Sequence, residues 1–386
     1  MPLLSPVARR LSAVLALLAA MIAAPAVAAP VEGPPGLRFY APPKQLTGQP
    51  GDLVWARAVR DGNALRSASR TYLVLYRSTS VDGRPIAVSG TVAIPKGKAP
   101  KRGWPVVSWA HGTTGAADIC APSRNPDLQR GMDGEFNGWL KAGHVVARTD
   151  YEGLGTPGPH PYLIGESAGR SLVDIVTAAG QLDPRVGRRW AAAGVSQGGH
   201  AALWAAAIGE RWAPKLELKG VDALAPASHI EEQVAASAAL TEPSALSVIG
   251  SLLVSGILAG YPADFSARDM LAPAALELLP EVEERCTTEL GSPDSWGGIA
   301  PAAILRAGYD RGELARRLRA NDPRTLKLRV PALVQQGSAD TLVFPAMTDA
   351  VVAALEASGA RVDYRTYPGA DHNGVVAAGR ADTDRW

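Results

Sequence analysis

Gly194-Val195-Ser196-Gln197-Gly198 follows an apolar run of small residues (190–195) and opens a helical run (to 208). G-x-S-x-G at a strand-to-helix junction is the signature of a nucleophile elbow. The turn is so tight that the residues flanking the serine must lack bulk, which accounts for Gly194, Gly198 and Gly199. Such a turn lifts the Ser196 hydroxyl clear of the strands. It also leaves the next amide, that of Gln197, directed at whatever atom the serine attacks.

A serine of this kind needs a histidine, and the histidine needs an orienting carboxylate. Behind such an elbow they follow in the order Ser, Asp or Glu, His. The chain has six histidines. His111, His144 and His160 precede the serine. His200 lies one turn into the elbow helix, and His229 comes before any loop that could carry the acid. His372 remains, in the turn-rich Tyr367-Pro368-Gly369-Ala370-Asp371-His372-Asn373-Gly374 after a strand-like run at 361–366. The acid belongs just past the preceding strand, read at 328–335, which points to Asp340 in Gln336-Gly337-Ser338-Ala339-Asp340. Two other readings compete with it. Asp340 could cap the helix that begins near Phe344, and Asp371 could replace it, although a neighbour in sequence would have to fold back on its own backbone.

Residues 106–110 form an apolar strand ending in His111-Gly112-Thr113-Thr114-Gly115. In α/β-hydrolases the second oxyanion donor lies in such a turn, here the Thr113 N–H beside that of Gln197. His111 reads as structural, pinning that loop. Strands are expected at 53–59, 71–78 and 85–94. From 106 onward strands and helices alternate: strands at 106–110, 144–149, 190–195 and 219–225, helices at 163–180 and 198–208. Alternation of this kind implies a mostly parallel sheet with helices on both faces, the α/β-hydrolase fold. Residues 31–50, rich in Pro and Gly, read as an extended arm on the surface.

The alternation stops between 228 and 323, where helical spacing continues without a convincing strand. A structureless loop of that length is improbable, so an inserted helical cap is expected. Leu246, Ile249, Leu253 and Ile257 make one apolar stripe in it, beside small residues such as Ser247, Gly250 and Ser251. The stripe either packs on the core or walls a site for acyl chains. The expected organisation is a leader at 1–28, a first part of the core with its arm at 29–227, the cap at 228–323, and a second part of the core at 324–386.

The leader carries Arg9 and Arg10, an apolar stretch, and the cleavage-like Ala26-Val27-Ala28. It reads as a secretory signal peptide that directs the chain outside the cell or to the periplasm. The residues around the arginine pair fit twin-arginine export poorly. No other stretch is apolar over the length a spanning helix needs, so stable membrane insertion is not expected. Once exported, Cys120 and Cys286 can oxidise, and a single bridge between them is the economical reading. Net charge is +2, which implies no nucleic-acid partner. No metal-ligand cluster is found, and no cofactor is expected.

Several stretches also resemble the secretory lipases. They are Tyr72-Leu73-Val74-Leu75-Tyr76-Arg77-Ser78-Thr79 with Gly90-Thr91-Val92-Ala93-Ile94-Pro95, and above all Asp150-Tyr151-Glu152-Gly153-Leu154-Gly155-Thr156-Pro157-Gly158 with His160-Pro161-Tyr162-Leu163. The elbow, the turn at Asp340 and the loop of His372 match as well. The resemblance implies an α/β-hydrolase core, a helical cap between elbow and acid, and lipase or esterase activity on ester or lipid substrates without a metal. It carries the catalytic roles to Ser196, Asp340 and His372. A serine peptidase or an acyltransferase of the same fold is the alternative. A secreted binding module with a decayed site is the non-enzymatic one.

Overall fold

The computed structural model describes residues 30–386; the expected leader at 1–28 lies outside them. The strands are β1 (Leu53–Val59), β2 (Ala68–Thr79), β3 (Pro85–Pro95), β4 (Trp104–Ala110), β5 (Val145–Thr149), β6 (Val186–Val195), β7 (Glu217–Leu224), β8 (Ala332–Gly337) and β9 (Val362–Tyr367). The helices are α1 (Asp133–Lys141), α2 (Gly165–Leu182), α3 (Gln197–Trp212), α4 (Ile230–Ser237), α5 (Leu246–Gly260), α6 (Ala267–Met270), α7 (Pro273–Leu278), α8 (Thr287–Leu290), α9 (Gly312–Ala320), α10 (Pro345–Ala357) and α11 (Gly374–Arg385).

All strands join one sheet in the order β1-β2-β3-β5-β4-β6-β7-β8-β9. β1, β2 and β3 are antiparallel, β3 meets β5 antiparallel, and β5 through β9 run parallel. Strands buried on both faces read as continuous apolar runs, and β4 shows why. Val106 and Ala110 face the cluster under α2, α3 and α10, whereas Trp109 packs with Phe136 and Trp139 of α1 on the opposite face. The expected strand at 328–335 starts later, at Ala332. Pro331 has no N–H for a ladder between two neighbours, and its carbonyl instead accepts from Val221 N at 3.1 Å. Leu326 and Leu328 are buried without being strand. The arm is less superficial than expected, because Phe39 and Tyr40 are buried on the face of β1, β2 and β3 and Ala56 exchanges hydrogen bonds with Val31 and Gly33.

Helices α4 to α9 fill the chain between β7 and β8 and gather around their own apolar cluster, with Leu252, Met270, Leu271 and Trp296 wholly buried. A Cys120–Cys286 disulfide, with a Cα separation of 5.5 Å, ties this helical insert to the loop after β4. Gly115 and Cys286 form an isolated β-bridge beside it, and Thr287 N donates to Thr114 O at 3.1 Å. The bridge spans 166 residues of sequence, for which the chain-entropy model gives about 5 kcal/mol.

The last helix, α11, is fastened by a buried polar network. Asp222 accepts from Gln335 Nε2 at 2.8 Å and from Thr383 Oγ1 at 2.6 Å, and Tyr367 Oη donates to Gln335 and to Asp382. Burial pushes the Asp222 carboxyl up to about 6, against its hydrogen bonds, with Asp382 adding repulsion. A carboxyl raised in this way stabilises the fold while protonated and loses that contribution as pH rises towards 6. Asp222→Asn is therefore expected to gain on the order of 2 kcal/mol over the parent at pH 8. The gain should vanish below pH 4 when melting temperatures are followed by calorimetry, and an equal effect at both pH values would contradict the assigned cause.

Candidate active site

β6 ends at Val195, and Ser196 sits at φ 59°, ψ −118°, a conformation rare outside glycine. Its N–H donates to Leu224 O at 2.9 Å, and its carbonyl accepts from His200 N at 3.0 Å and Ala227 N at 3.1 Å. Those bonds overdetermine the turn, which is how strained backbone persists in a folded chain. A Cβ on Gly198 would overlap the Ala110 carbonyl, and one on Gly194 would overlap the Gly198 carbonyl. The flanking glycines are thus required by backbone packing between the β4 and β6 ends.

Asp340 and His372 arrive from the ends of β8 and β9. His372 Nδ1 lies 2.7 Å from Asp340 Oδ2, and both side chains are largely shielded from water. The other oxygen, Oδ1, accepts from the amides of Leu342 and Val343, each at 2.9 Å. Burial alone would raise Asp340. The hydrogen bond and charge of His372, with those two amides, outweigh it and hold the carboxyl below its usual range. Asp340 is not the cap of the following helix, which starts at Pro345 after Phe344. Asp371, by contrast, is exposed and accepts from Gly374 N at 2.7 Å at the start of α11.

Ser196 and His372 line one cavity of about 940 Å³, although no hydrogen bond joins their side chains. The loop after β4 supplies His111, Gly112, Thr113 and Thr114 to the same cavity. Neither Thr113 N nor Gln197 N donates to a protein acceptor among the loop and cap hydrogen bonds. Three of the other histidines have partners of their own. His111 sits against the Gly112 carbonyl, and His200 against that of Asn321, both rings held at about 4 by burial. His229 is a left-handed residue whose amide donates to Asp322.

The apolar stripe of α5 divides. Leu246, Val248 and Ile249 line the cavity that holds Ser196, whereas Leu253 and Ile257 are buried inside the insert and border a separate apolar cavity with Ile304 and Leu314. Leu128, Leu246 and Leu342, each more than a third exposed, also line the main cavity. Among the described residues no group of three or more His, Cys, Asp or Glu could hold a metal ion, and no helix is long and apolar enough to cross a membrane.

Two sets of residues at the site were not singled out from sequence. Gln336 Nε2 donates to Asp340 Oδ2 at 3.2 Å while its oxygen accepts from Thr348 at 2.6 Å. The 150–163 loop brings Tyr162 to the cavity wall, with His160 and Tyr151 packed in a row behind it. Nothing marks Gln336 in sequence beyond its place four residues before Asp340. The loop was visible only as a recognisable stretch with no role.

The secretory lipase family model matches residues 133–291. Lipase A of Moesziomyces aphidis is 28% identical over 228 residues, 52% of this chain and 46% of that protein. The chain thus spans about half the length of the curated relative it matches. Among solved structures, lipase A of Candida antarctica superposes with a TM-score of 0.71 at 18% identity, over 87% of this chain and 83% of that one. The rice cell wall degrading esterase LipA from Xanthomonas oryzae gives 0.71 at 18%, over 86% and 95%. The chain has the α/β-hydrolase fold, and the resemblance to secretory lipases drawn from its sequence is borne out.

The elbow packing is testable without any assay of activity. Gly198→Ala drives a methyl into backbone and is expected to destabilise by about 3 kcal/mol or more. Gly180→Ala, in α2 with open space where its Cβ would go, is expected to stabilise by about 0.5–1 kcal/mol. Denaturant titration compares the two, and equal effects would refute the packing argument.

Proposed function

We propose that this chain, similar to the secretory lipases over residues 133–291, is an exported carboxylic-ester hydrolase acting through Ser196, His372 and Asp340. The observation that most supports this reading is the 2.7 Å bond between Asp340 and His372 on the wall of the cavity that Ser196 also lines. The Asp340 carboxylate accepts Nδ1–H, which leaves Nε2 as the base. His372 Nε2 takes the Ser196 proton as Oγ attacks the ester carbonyl, and the Thr113 and Gln197 amides bind the oxyanion that forms. His372 then protonates the leaving alcohol. Water, deprotonated by the same ring, releases the acid and restores Ser196.

The cavity walls fit an ester with an apolar acyl part, through Val248, Ile249 and Leu246 of the insert, which we read as a cap over the site at 228–323. The leader expected at 1–28 and the Cys120–Cys286 bridge both fit an oxidising compartment, outside the cell or in the periplasm. A peptidase reading would use Glu231-Glu232 or Glu283-Glu284 to anchor a peptide amine. Glu231 and Glu232 instead pair with Arg319 and Arg324, each at 2.7 Å, within the insert and its junction, and none of the four lines the cavity of Ser196.

Initial rates on p-nitrophenyl esters of graded chain length, beside a dipeptide anilide, test the class of reaction. Ester turnover without anilide cleavage is expected, and Ser196→Ala should lower it by about 10⁶-fold with folding intact. Retention of activity within tenfold would end the assignment. Asp340→Asn should lose far more than Asp371→Asn, because only the former contacts the ring. The reverse order would move the acid to Asp371. For the cap, Ile249→Ala is expected to shift preference among acyl lengths. Leu253→Ala, removed from the main cavity, should instead lower stability by about 2–5 kcal/mol. A chain-length shift from Leu253→Ala alone would reverse that division of the stripe.

A further inference from the structure

We propose that the 150–163 loop sets the geometry of both oxyanion donors, with Tyr162 and His160 as positioning residues for Thr113 and Gln197, and that helix α5 bears on this loop through Gly256. The inference rests on the catalytic reading of Ser196 given above and adds residues to it.

Three polar contacts lead from this loop to the two donor turns. Tyr162 Oη lies 2.7 Å from Thr113 Oγ1, the side chain of one donor residue. Tyr151 Oη donates to the carbonyl of His111 at 2.8 Å, in the same turn. On the other side of the site, His160 Nε2 lies 3.1 Å from Gln197 Nε2, the side chain of the second donor residue. The direction of that last bond follows from its surroundings. His160 Nδ1 is 2.8 Å from the Glu152 carbonyl, which can only accept, so Nδ1 carries the proton. Burial lowers the ring to about 4, so at neutral pH it is uncharged and Nε2 accepts from the Gln197 amide.

The rings that make these contacts form one buried row. Centroid separations are 4.5 Å for His111 and Tyr151, 5.9 Å for Tyr151 and His160, and 6.2 Å for His160 and Tyr162. All four residues are at most 3% exposed. The loop is held in strained backbone at both ends, with Tyr151 at φ 76° and Leu163 at φ 57°. Strain at non-glycine residues persists where surroundings overdetermine it and gathers at functional sites. The insert also touches the loop: a Cβ on Gly256 would overlap the Tyr162 backbone, so α5 rests directly on this residue. The same helix walls the cavity through Leu246, Val248 and Ile249. Helix α5 thus borders both the cavity and the residue that contacts Thr113.

Oxyanion donors act by being fixed before charge develops, and a small misplacement lowers turnover while leaving ground-state binding alone. A merely structural Tyr162 would instead affect melting and leave kcat unchanged. The test measures kcat, KM and the rate at which an alkyl phosphonate ester captures Ser196, for Tyr162→Phe, Thr113→Val, their double variant and His160→Leu. Tyr162→Phe and His160→Leu are expected to lower kcat by about 10- to 100-fold, with KM within about threefold. Phosphonate capture should slow in parallel. Tyr162→Phe and Thr113→Val remove two ends of one bond, so the double variant should be no worse than the poorer single one. Unchanged kcat in Tyr162→Phe, or additive losses in the double variant, would overturn the proposal. An active Ser196→Ala would instead defeat the catalytic reading on which it rests. An inactive Ser196→Ala with a fully active Tyr162→Phe would defeat this inference alone.

Discussion

The close approach of the Gly198 backbone to the carbonyl of Ala110 is the contact on which the rest of the site depends. It is possible because β4 and β6 are neighbours in the sheet, in parallel register from Val106 and Trp190 to Ala110 and Gly194. Both strands therefore end at the same level. The loop after one and the elbow after the other meet there, with no side chain between them. A larger residue at 198 would push the two turns apart and separate the amides of Thr113 and Gln197. The unusual φ of Ser196 follows from the same constraint, since the chain must reverse within one residue to enter α3.

The remaining half of the site is built from farther along the sheet. β7, β8 and β9 continue the parallel order, so the turns carrying Asp340 and His372 emerge on the same edge as Ser196. Opposite charge and hydrogen bonding keep Asp340 ionised despite burial, with Gln336 and two amides meeting the lone pairs that His372 leaves. α11 begins two residues after His372 and is tied down through Thr383 and Asp382. In the Asp222 network burial and the like charge of Asp382 both raise the carboxyl against its hydrogen bonds, so its contribution to anchoring that helix is lost as pH rises, whereas that of the lowered Asp340 is lost as pH falls. Asp340 has an imidazole and two backbone amides as donors, and Asp222 has two side-chain donors and a like-charged neighbour.

The helical insert is not an independent lid laid over a finished site. Its disulfide and the Thr287–Thr114 hydrogen bond stitch it to the loop after β4, and α5 rests on Tyr162. Both attachments reach the segment that holds Thr113. The smooth, glycine- and serine-rich surface of α5 allows that closeness, because a residue with a side chain at 256 could not approach the Tyr162 backbone. The small residue at 256 thus couples the insert to the core.

Much of this was legible in the chain itself. The alternation of apolar runs and helical spacing gave the parallel sheet, since a strand covered on both faces must be apolar throughout, as in Val106 and Trp109 of β4. Order along the chain singled out Ser196, Asp340 and His372, because a fold that places every loop at the ends of successive strands turns sequence order into spatial order. Residues that act through long-range pairing were invisible to that logic. Tyr162 and Thr113, His160 and Gln197, and Gln336 with Thr348 meet only because of strand order and helix packing, and no local period marks them. The stripe on α5 shows the same limit from the other side: helical spacing put Leu246, Ile249, Leu253 and Ile257 on one face, but only tertiary packing decided that the first two border the cavity and the last two fill the insert. Local chemistry and chain order determined the fold and singled out the candidate site residues, whereas contacts between distant segments decided how those residues are held.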